Sequence, residues 1–533
     1  MHGERCHHIT VANCRFESGT GWINCRFDEA GDSIRITDSY FTGGTDLVSI
    51  DGGDGHLVEG NFFGDASHTG LVFLGVQRSV VRDNTMTNRR WRCMEVESQR
   101  HEPYRKSMYN LIENNTFDYT PTLAVQYAGN YSILRRNIFR RCLTGMAWSN
   151  YLGSAKTPEA WHNEHNRFYN NVIAECGLND IVTALIAQAE SDGFPVEERV
   201  AETGYGMVFA TNMFNPPLED YPDCAYGDNV VVNNVFYKNG NAAERSDSKG
   251  TTASRTVQVG FDWNASPEFA RFHYNAFYSG ETDADAFYFC DAAYQDPAEP
   301  RNRSVSDFHE RYPEWATGNI ETEPSFTDPG NGDYTLSPDS PLIDAGGPLT
   351  HAITGGEGTI LKVEDALYFS DGCGLIEPDV IRIGSMRAEI DAIDYETNTI
   401  TLKSGVSWQS DASVYLDFSG DAPDIGYYEY PGGSGVGIDR DDSPCPRSIT
   451  LAQNHPNPFN PSTTIEYVLP SCSRVILKVF NSAGQSVHVL RDCMQEPGEY
   501  AVSWNASGMP SGVYYCALTT DGMTRTKKML LLK

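Results

Sequence analysis

The chain has 533 residues, with 40 lysine and arginine residues against 72 aspartate and glutamate residues, which gives a formal net charge of −32 at pH 7. This acidic balance argues against binding to a phosphate backbone, which requires clustered basic side chains, so we expect no nucleic-acid partner. No stretch approaches the roughly 20 apolar residues of a membrane-spanning helix. Hydrophobic residues make up 40% and charged residues 21%, which excludes a disordered chain and predicts more than one folded domain.

The N-terminal sequence, MHGERCHHITVANCRF, contains no apolar signal-peptide core. It begins directly in sequence of the repeating kind that continues downstream. We therefore expect that the first coils of the fold, and any export signal, precede this chain.

A short pattern recurs along the first part of the chain: an aliphatic pair, polar residues, an asparagine and then an aromatic or aliphatic residue. It is clearest at 111–117 and 133–139, where Phe117 and Phe139 are 22 residues apart. Equivalent segments end at residues 16, 41, 63, 86, 173, 236 and 277. Strand-like pieces that repeat about every 22 to 25 residues predict the coils of a parallel β-helix. We expect the repeated asparagine to lie at a turn, where it tolerates a left-handed backbone conformation and stacks on its equivalents.

Each coil also contains a second strand in which apolar and polar side chains alternate, as at 46–51, 93–98 and 122–127. Alternation along a strand places successive side chains on opposite faces. The inward positions are predicted to be Val48, Ile50, Met94, Val96, Leu123 and Val125. The outward positions are predicted to be Ser49, Asp51, Glu95, Glu97, Ala124 and Gln126. We expect Asp51, Glu95, Glu97 and Gln126 to form one polar ladder.

The β-helix is predicted to occupy residues 1–354, with long loops at 178–228 and 241–256. Within the first loop, residues 180–190 have the composition of a short helix. Long loops on a rigid solenoid commonly shape a binding groove.

The remainder of the chain divides into four segments. Residues 355–420 alternate like strands and predict a small inserted β-domain, followed by a closing β-strand at 421–430. Residues 431–448 are rich in Gly, Pro and Asp and predict a linker. Residues 449–533 predict a separate antiparallel β-sandwich. The predicted fold class is therefore all-β: a right-handed parallel β-helix, a small inserted β-domain and a C-terminal antiparallel β-sandwich.

The C-terminal segment contains the motifs NPFNP (457–461), PSGVYY (510–515) and KKM (527–529). Together these motifs resemble the type A sorting domain of the type IX secretion system. The resemblance implies a secreted or cell-surface protein of a Bacteroidota-type bacterium, with the type IX secretion machinery as a partner through residues 449–533.

Residues 1–430 resemble the right-handed parallel β-helix, pectate-lyase-like superfamily. Within them, KSMYN (106–110) followed by NTF (115–117) is similar to a segment of the alginate lyase and chondroitinase B family. That resemblance implies that Lys106 is the catalytic base. The next coil of the family carries Arg-His, whereas this chain has Gln126 and Tyr127.

Acidic and basic residues near the second strand define the candidate site. A lyase that acts on a uronic acid needs a base and a charge that neutralises the substrate carboxylate, and Ca²⁺ bound by Asp51, Glu95 or Glu97 could supply that charge. An inverting hydrolase would instead use a separated carboxylate pair, for which Asp51 and Glu95 are candidates. The candidate catalytic residues are Lys106, Asp51, Glu95, Glu97 and His68. The candidate substrate-binding residues are Gln126, Tyr127, Arg92, Trp91, Trp148 and Trp161.

Two functions remain open from the sequence. The first is an exported lyase or glycoside hydrolase of an acidic extracellular polysaccharide. The second is a non-catalytic surface β-helix that binds glycans or acts as an adhesin. Both predict an extracellular polysaccharide as the partner.

Overall fold

Three long sheets, named A, B and C, build the first part of the chain. Sheet A consists of His2–Glu4, Ile23–Asp28, Asp46–Asp51, Thr69–Leu74, Arg92–Glu97, Leu123–Tyr127, Thr144–Ser149, Met207–Ala210, Val259–Asp262, Phe287–Phe289 and Asn302–Arg303. Sheet B consists of Thr10–Ala12, Arg35–Thr37, Leu57–Glu59, Val80–Arg82, Leu111–Glu113, Ile133–Arg135, Arg167–Tyr169, Asn229–Val232, Ala270–His273 and Ala316–Thr317. Sheet C consists of Arg15–Glu17, Tyr40–Thr42, Phe62–Phe63, Thr85–Thr87, Thr116–Asp118, Ile138–Arg140, Val172–Ala174, Val235–Tyr237, Ala276–Tyr278 and Ile320–Glu321.

These bounds come from a computed structural model. It describes residues 2–4, 7–17, 23–28, 31–88, 90–98, 105–149, 163–178, 205–210, 226–246, 252–255, 258–262, 269–280, 286–289, 302–430, 450–451, 454–469, 473–481, 485–495, 498–520 and 523–532.

The chain visits sheets A, B and C in turn, and each strand pairs in parallel with its equivalent in the next coil, except that Asn302–Arg303 pairs antiparallel with Phe287–Phe289 at the end of sheet A. The central residue of each short strand in sheets B and C points inward, as Ile112 and Phe117 do, and joins one continuous apolar core. Like side chains stack along this core, and the Phe117 and Phe139 ring centroids lie 4.9 Å apart. The prediction of a parallel β-helix with a coil near 22 residues is confirmed.

An asparagine ladder marks the turn between sheets B and C. Its members are Asn61, Asn84, Asn115, Asn137, Asn171, Asn234, Asn275 and Asn319, all buried. Each side-chain amide donates to the Oδ1 of the next member at 2.8 to 3.0 Å. That same Oδ1 accepts the backbone N–H of the preceding member at 2.9 to 3.1 Å. The predicted stacking is therefore present, and it satisfies backbone groups that the turn would otherwise leave unpaired.

The left-handed residue of this turn is the one that precedes the ladder asparagine. Asn114, Arg136 and Asn170 have φ values of 56°, 52° and 52°. The ladder asparagines are absent from the positive-φ residues of the described chain. Two adjacent residues thus have different roles in the turn. The first adopts the left-handed backbone conformation, and the ladder asparagine that follows it forms the hydrogen bonds between coils.

The predicted insertions contain regular structure. Met207–Ala210, inside the predicted loop 178–228, is a full strand of sheet A. The second predicted loop, 241–256, contains an antiparallel hairpin of Asn241–Ser246 and Thr252–Arg255. The predicted helix at 180–190 lies outside the described residues. Asn163–Glu164 and Tyr226–Gly227 form a short parallel strand pair in the connections that lead from sheet A into sheet B.

One α-helix, Val305–Arg311, lies near the C-terminal end of the solenoid, and Ser304 caps its N-terminus by accepting the N–H of Asp307 at 3.2 Å. Phe308 of this helix stacks on Phe287 with ring centroids 4.0 Å apart. The helix therefore adds an aromatic side chain to the apolar core.

A six-stranded antiparallel sheet, named sheet D, follows the solenoid. In spatial order its strands are Thr350–His351, Ser413–Leu416, Val380–Ile383, Met386–Asp394, Thr399–Trp408 and Gly356–Lys362. Short elements flank it: a hairpin of Phe326–Asp328 and Asp333–Leu336, and 3₁₀ turns at Pro329–Asn331 and Gly372–Gly374.

The segment of sheet D packs on the outer face of sheet B. Leu57, Val80, Leu111 and Ile133 share an apolar cluster with side chains of the 349–416 segment. Arg135, only 3% exposed, donates to both carboxylate oxygens of Asp379 at 2.7 Å. Where the segment covers sheet B, the apolar outward residues of the strands are buried, whereas the side chains of Glu59 and Arg82 on the same sheet remain half-buried.

Residues 421–430 form no β-strand, so the predicted closing strand is wrong. The segment instead folds back as an irregular chain against the outer face of sheet C, where Ile425 packs against Val172 and Val235. Asp424 accepts the backbone N–H of Asp344 at 2.8 Å, which ties the segment to the chain that precedes sheet D. Side-chain packing and hydrogen bonds from backbone N–H groups to carboxylates replace the backbone hydrogen bonds that a β-strand would have formed.

The C-terminal unit, Ile438–Lys533, is separate from Met1–Gly437. One of its sheets contains Thr450–Leu451, Ser462–Leu469 and Gly498–Asn505, and the other contains Ser486–Gln495, Ser473–Asn481, Gly512–Thr520 and Met523–Leu531. All pairs are antiparallel, and both sheets contribute to one apolar core that includes Trp504 and Leu477. The predicted all-β class with a C-terminal antiparallel unit is confirmed. In the described part of the chain, no helix combines the length and apolar character needed to cross a membrane.

The ladder generates a stability prediction. Replacing Asn115 by alanine removes an amide that bonds to Asn137 and to the carbonyl of Val81, and leaves the N–H of Asn84 without its acceptor. We expect the free energy of unfolding to fall by about 2–4 kcal/mol, because several buried groups lose partners. Chemical denaturation of the full chain measures it. Asn114→Gly is the matched control, with an expected change within about 0.5 kcal/mol because glycine accepts φ > 0. Equal losses in the free energy of unfolding for Asn115→Ala and Asn114→Gly would contradict a hydrogen-bonding role that belongs to Asn115 alone.

The irregular segment generates a pH prediction. Burial raises the pKa of Asp424 to about 6, and burial with the neighbouring Asp424 charge raises the pKa of Glu429 to about 8. A carboxyl group whose pKa is higher in the folded state binds more protons there, so stability falls as the pH rises from about 5 to about 8. Glu429→Gln should flatten this slope by at most about 1.4 kcal/mol per pH unit. Denaturation at several pH values measures the slope, and Glu364→Gln, at a residue whose side chain is 65% exposed, should leave it as in the unsubstituted chain.

Candidate functional site

Outward side chains of sheet A form three neighbouring ladders, whereas the sequence predicted one. Register places Asp46, Thr69 and Arg92 in the first ladder and Ser49, Val72, Glu95 and Gln126 in the second. The third contains Asp51, Leu74 and Glu97. Asp51 and Glu95 therefore belong to different ladders, and the single polar ladder is wrong. The reason is that Glu95 and Glu97 share a face but lie two residues apart along one strand.

A buried polar network joins the three ladders. The Nη1 of Arg92 donates to Glu95 Oε2 at 3.0 Å and also to Gln126 Oε1. The Nε2 of Gln126 donates to Glu97 Oε1 at 3.2 Å. The four side chains are 7%, 2%, 0% and 5% exposed in the order Arg92, Glu95, Gln126 and Glu97. Such low exposure gives this network a positioning role in the described structure, with little surface for direct contact with a polymer.

The exposed edge of the network carries a histidine–carboxylate pair. His68 Nδ1 lies 2.7 Å from Asp46 Oδ1, and the His68 side chain is 42% exposed. Asp46 also accepts the backbone N–H of Thr69 at 3.1 Å. Because the carboxylate can only accept, the neutral imidazole carries its proton on Nδ1 and keeps Nε2 as an acceptor. That is the protonation pattern of a general base.

Thr69 and Trp91 connect this pair to the buried network. The Oγ1 of Thr69 lies 3.1 Å from His68 Nδ1 and 3.4 Å from Glu95 Oε2. The Trp91 ring, half-buried, lies parallel to the His68 ring with centroids 6.4 Å apart. The guanidinium carbon of Arg92 lies 5.8 Å from the Trp91 ring centroid. Six sequence-predicted residues are thus brought together: His68, Trp91, Arg92, Glu95, Glu97 and Gln126.

Tyr127 and Trp148 are core residues, which corrects their prediction as substrate-binding residues. They are 0% and 3% exposed, belong to the solenoid core, and pack edge to face with centroids 5.6 Å apart. Trp148 continues into a parallel stack on Phe209. Tyr127 has the same strand parity as Val125, which was predicted to point inward, so alternation alone would have placed it correctly.

The prediction that Leu123 points into the main core is also wrong. It packs with Ala147, Tyr205 and Val208 in a cluster outside the main core, whereas Ala124 lies within the main core. The strand therefore departs from strict alternation at its beginning, where Ala124 takes the inward position expected for Leu123.

The remaining predicted residues lie apart from the network. Lys106 is half-buried at the turn that leads to sheet B, and its backbone carbonyl accepts from Gln77 Nε2 at 3.0 Å. Asp51 lies at the end of its strand, opposite Leu74. Trp161 lies outside the described residues. The role of Lys106 as a base stays a prediction.

The described residues contain no assembled set of donors for the predicted calcium ion. There, no three histidine, cysteine, aspartate or glutamate side chains come together in a metal-binding arrangement. Glu95 Oε2 instead contacts Arg92 and Glu97 Oε1 contacts Gln126. Ca²⁺ prefers several oxygen ligands that are free to converge, so calcium binding at Asp51, Glu95 or Glu97 stays a prediction.

Sequence reasoning missed Asp46 and Thr69. Asp46 precedes His68 by 22 residues and Thr69 precedes Arg92 by 23, which are the spacings of one coil. Applying the repeat length to polar residues would therefore have placed each pair side by side.

Residues 454–532 match the protein family described as a secretion system C-terminal sorting domain. The match confirms the predicted type IX sorting domain. It indicates a secreted or cell-surface protein that engages the type IX secretion machinery.

No curated protein matches the chain. An alginate lyase from Paenibacillus sp. str. FPU-7 is similar over 49% of this chain and 68% of its own, at 10% identity and a TM-score of 0.21. The tailspike of Pseudomonas phage phi297 is similar over 73% of this chain and 65% of its own, at 11% identity and a TM-score of 0.24. PorZ, a surface component of the type IX secretion system of Porphyromonas gingivalis, is similar over 39% of this chain and 35% of its own, at 13% identity and a TM-score of 0.12. Scores this low carry no argument about activity, which must come from the site itself.

The buried network generates a stability prediction. Arg92→Leu removes the guanidinium group that contacts the buried Glu95 carboxylate at 3.0 Å, so we expect a loss of about 3–5 kcal/mol in the free energy of unfolding. The double substitution Arg92→Leu with Glu95→Leu should cost less than the single one, because it removes both charges. Denaturant unfolding measures both. The matched control, Arg82→Leu, removes a half-buried arginine paired with Glu59 and should cost about 1 kcal/mol or less. A loss for Arg92→Leu no larger than that of the control would contradict a buried ion pair.

Proposed function

We propose that the solenoid acts on an acidic extracellular polysaccharide by β-elimination, with His68 as the base and Asp46 as the residue that orients it. The observation that carries this proposal is the exposed His68 side chain, held 2.7 Å from Asp46 at the edge of a rigid sheet. A base of this kind must be accessible to a polymer and fixed in orientation.

Local charge supports an acidic substrate despite the negative charge of the whole chain. Residues 89–106 contain six basic residues, Arg89, Arg90, Arg92, Arg100, Arg105 and Lys106, against three acidic ones, Glu95, Glu97 and Glu102. Trp91 and Arg92 of this segment lie beside the His68 pair, whereas Lys106 lies apart from it at the turn that leads to sheet B. An excess of basic residues in the sequence that follows the base favours the approach of a uronate carboxylate.

The substrate of this β-elimination is a 4-linked uronate. His68 Nε2 takes the proton from C5, the released electron pair forms the C4=C5 double bond, and the bond from C4 to the glycosidic oxygen breaks. The departing oxygen takes a proton from water. Asp46 stabilises the imidazolium that forms, because its carboxylate accepts the Nδ1 proton throughout. Lys106 is the second candidate for the base, on the basis of its sequence resemblance.

A non-catalytic, glycan-binding surface protein is the second candidate function. The burial of Glu95 and Glu97 favours it, because carboxylates at 2% and 5% exposure cannot meet the substrate of a hydrolase directly. In that case His68 and Trp91 would bind sugar units through hydrogen bonding and ring contact.

The test uses the full chain with alginate, polygalacturonate and glycosaminoglycan, and follows the ultraviolet absorbance of unsaturated products. We expect His68→Gln to lower the rate by about 100-fold or more, in the range for loss of a general base. Asp46→Asn should give a smaller loss, with the pH profile displaced. His351→Gln is the matched control, because His351 is also a partly exposed histidine near a carboxylate, 3.7 Å from Glu364, and should leave the rate unchanged.

The outcomes separate the two functions. A rate that survives His68→Gln but is lost with Lys106→Ala would transfer the base role to Lys106. The absence of unsaturated products, together with glycan binding that weakens in His68→Gln, would support the binding protein and end the lyase proposal.

A further inference from the structure

A cavity of about 890 Å³ lies where the turn between sheets A and B faces the segment of sheet D. The solenoid contributes Asp54, Arg78 and Tyr109 to its wall, and the segment of sheet D contributes Tyr395 and Glu396. The volume is within the range of pockets that bind small organic ligands. It lies on a different edge of the coils from His68, which is absent from its lining.

Apolar and aromatic side chains give this cavity a fixed frame. Leu111, Ile133 and Ile393 line it. Tyr395 stacks on Tyr109 and Tyr109 on Tyr131, with centroids 5.5 and 5.4 Å apart. Because Tyr109 has a ring on each face, its edge and hydroxyl are the parts left for a ligand. Burial and the nearby Glu396 raise the pKa of Tyr109, so its hydroxyl keeps the proton that it can donate.

The charge of the wall is strongly unbalanced. Among the described residues, the acidic members are Asp32, Asp54, Asp371, Asp394 and Glu396. The basic residues are Arg78, which lines the cavity, and Arg105, whose Nη2 lies 3.6 Å from Asp54 Oδ2. Arg78 is already paired with Asp54, donating from Nε at 2.9 Å. The carboxylates of Asp32 and Glu396 accept no hydrogen bond from the described residues. A cavity with this balance attracts a cation and repels a uronate, which distinguishes its ligand from the substrate proposed for the His68 site.

We propose that this cavity binds an amino sugar, that is, a sugar unit with both an ammonium group and several hydroxyls. Ammonium groups of successive sugar units interact with the carboxylates of Asp32 and Glu396, which both line the cavity. The hydroxyls exchange hydrogen bonds with the phenols of Tyr109 and Tyr131, and the apolar C–H surface of the ring rests on the leucine and isoleucine side chains. A simple polyamine would form charge interactions with the carboxylates but would not hydrogen-bond to the phenols through hydroxyl groups. An uncharged sugar would hydrogen-bond to the phenols but would bring no positive charge to the carboxylates.

The experiment is calorimetric titration of the full chain with four probes: a glucosamine trimer, the N-acetylglucosamine trimer, spermidine and a galacturonate trimer. The glucosamine trimer should bind at least about tenfold more tightly than each of the other three, a factor that corresponds to about 1.4 kcal/mol. Its affinity should fall with added salt, as expected for exposed charge pairs.

Variants localise the binding. Asp32→Asn and Glu396→Gln should each weaken the glucosamine trimer by several-fold, and Tyr109→Phe should weaken it without changing its salt dependence. Glu357→Gln, an exposed glutamate of sheet D outside the cavity, is the matched control and should bind as the unsubstituted chain does. His68→Gln should also leave this affinity unchanged, so the proposal can fail or stand independently of the lyase assignment.

Three results would overturn the proposal. Equal binding of the acetylated trimer would show that charge does not select the ligand. Equal binding of spermidine would reduce the cavity to a cation site without sugar recognition. Binding of the glucosamine trimer that is indifferent to both Asp32→Asn and Glu396→Gln, or no binding at all, would remove the cavity as the site.

Discussion

The buried amide hydrogen bonds of the asparagine ladder are the constraint on which the rest of this structure depends. A solenoid must turn sharply in every coil, and a sharp turn leaves backbone groups inside the protein without partners. Asn115 and its equivalents supply those partners from the coil above and the coil below. The repeated hydrogen bonds keep sheets B and C in register, so the side chains of successive coils lie directly above one another.

With the register set, the outer faces of the coils take different roles. The apolar side chains on the outer face of sheet B are covered by the segment of sheet D, with the bidentate Arg135–Asp379 pair at the contact. The outer face of sheet A carries charged and polar side chains. There the ion pair of Arg92 with Glu95 is almost fully buried, whereas His68 at its edge is exposed. A reactive group at the edge of a rigid, internally satisfied network is well placed for chemistry, because its supports do not move.

The same stacking accounts for the second site. Tyr109, Tyr131 and His165 occupy one equivalent turn position in successive coils, each with positive φ, and their rings therefore form a column. Tyr395 from the segment of sheet D continues that column where the preceding coil has Arg78 instead of an aromatic residue. Arg78 turns to Asp54, and space remains beside it. The aromatic column of the solenoid therefore begins at Tyr109, and the cavity lies beside Arg78, Gly55 and Asp32 of the preceding coils.

The sequence by itself determined the repeat length, the parallel solenoid, the stacked asparagines and the antiparallel C-terminal unit, because local periodicity encodes each of them. It also placed Glu95 and Gln126 correctly on one outer face. It could not determine that the 421–430 segment would pack without forming a strand, since packing partners far along the chain decide that outcome. Nor could it show that Arg92, Glu95 and Glu97 would be buried, because burial exists only after the chain has folded. The repeat length places Asp46 beside His68, but only the folded structure shows that their side chains form a hydrogen bond. Tertiary structure alone brought Tyr395 to Tyr109 from 286 residues away, since a contact across that sequence distance has no local signature.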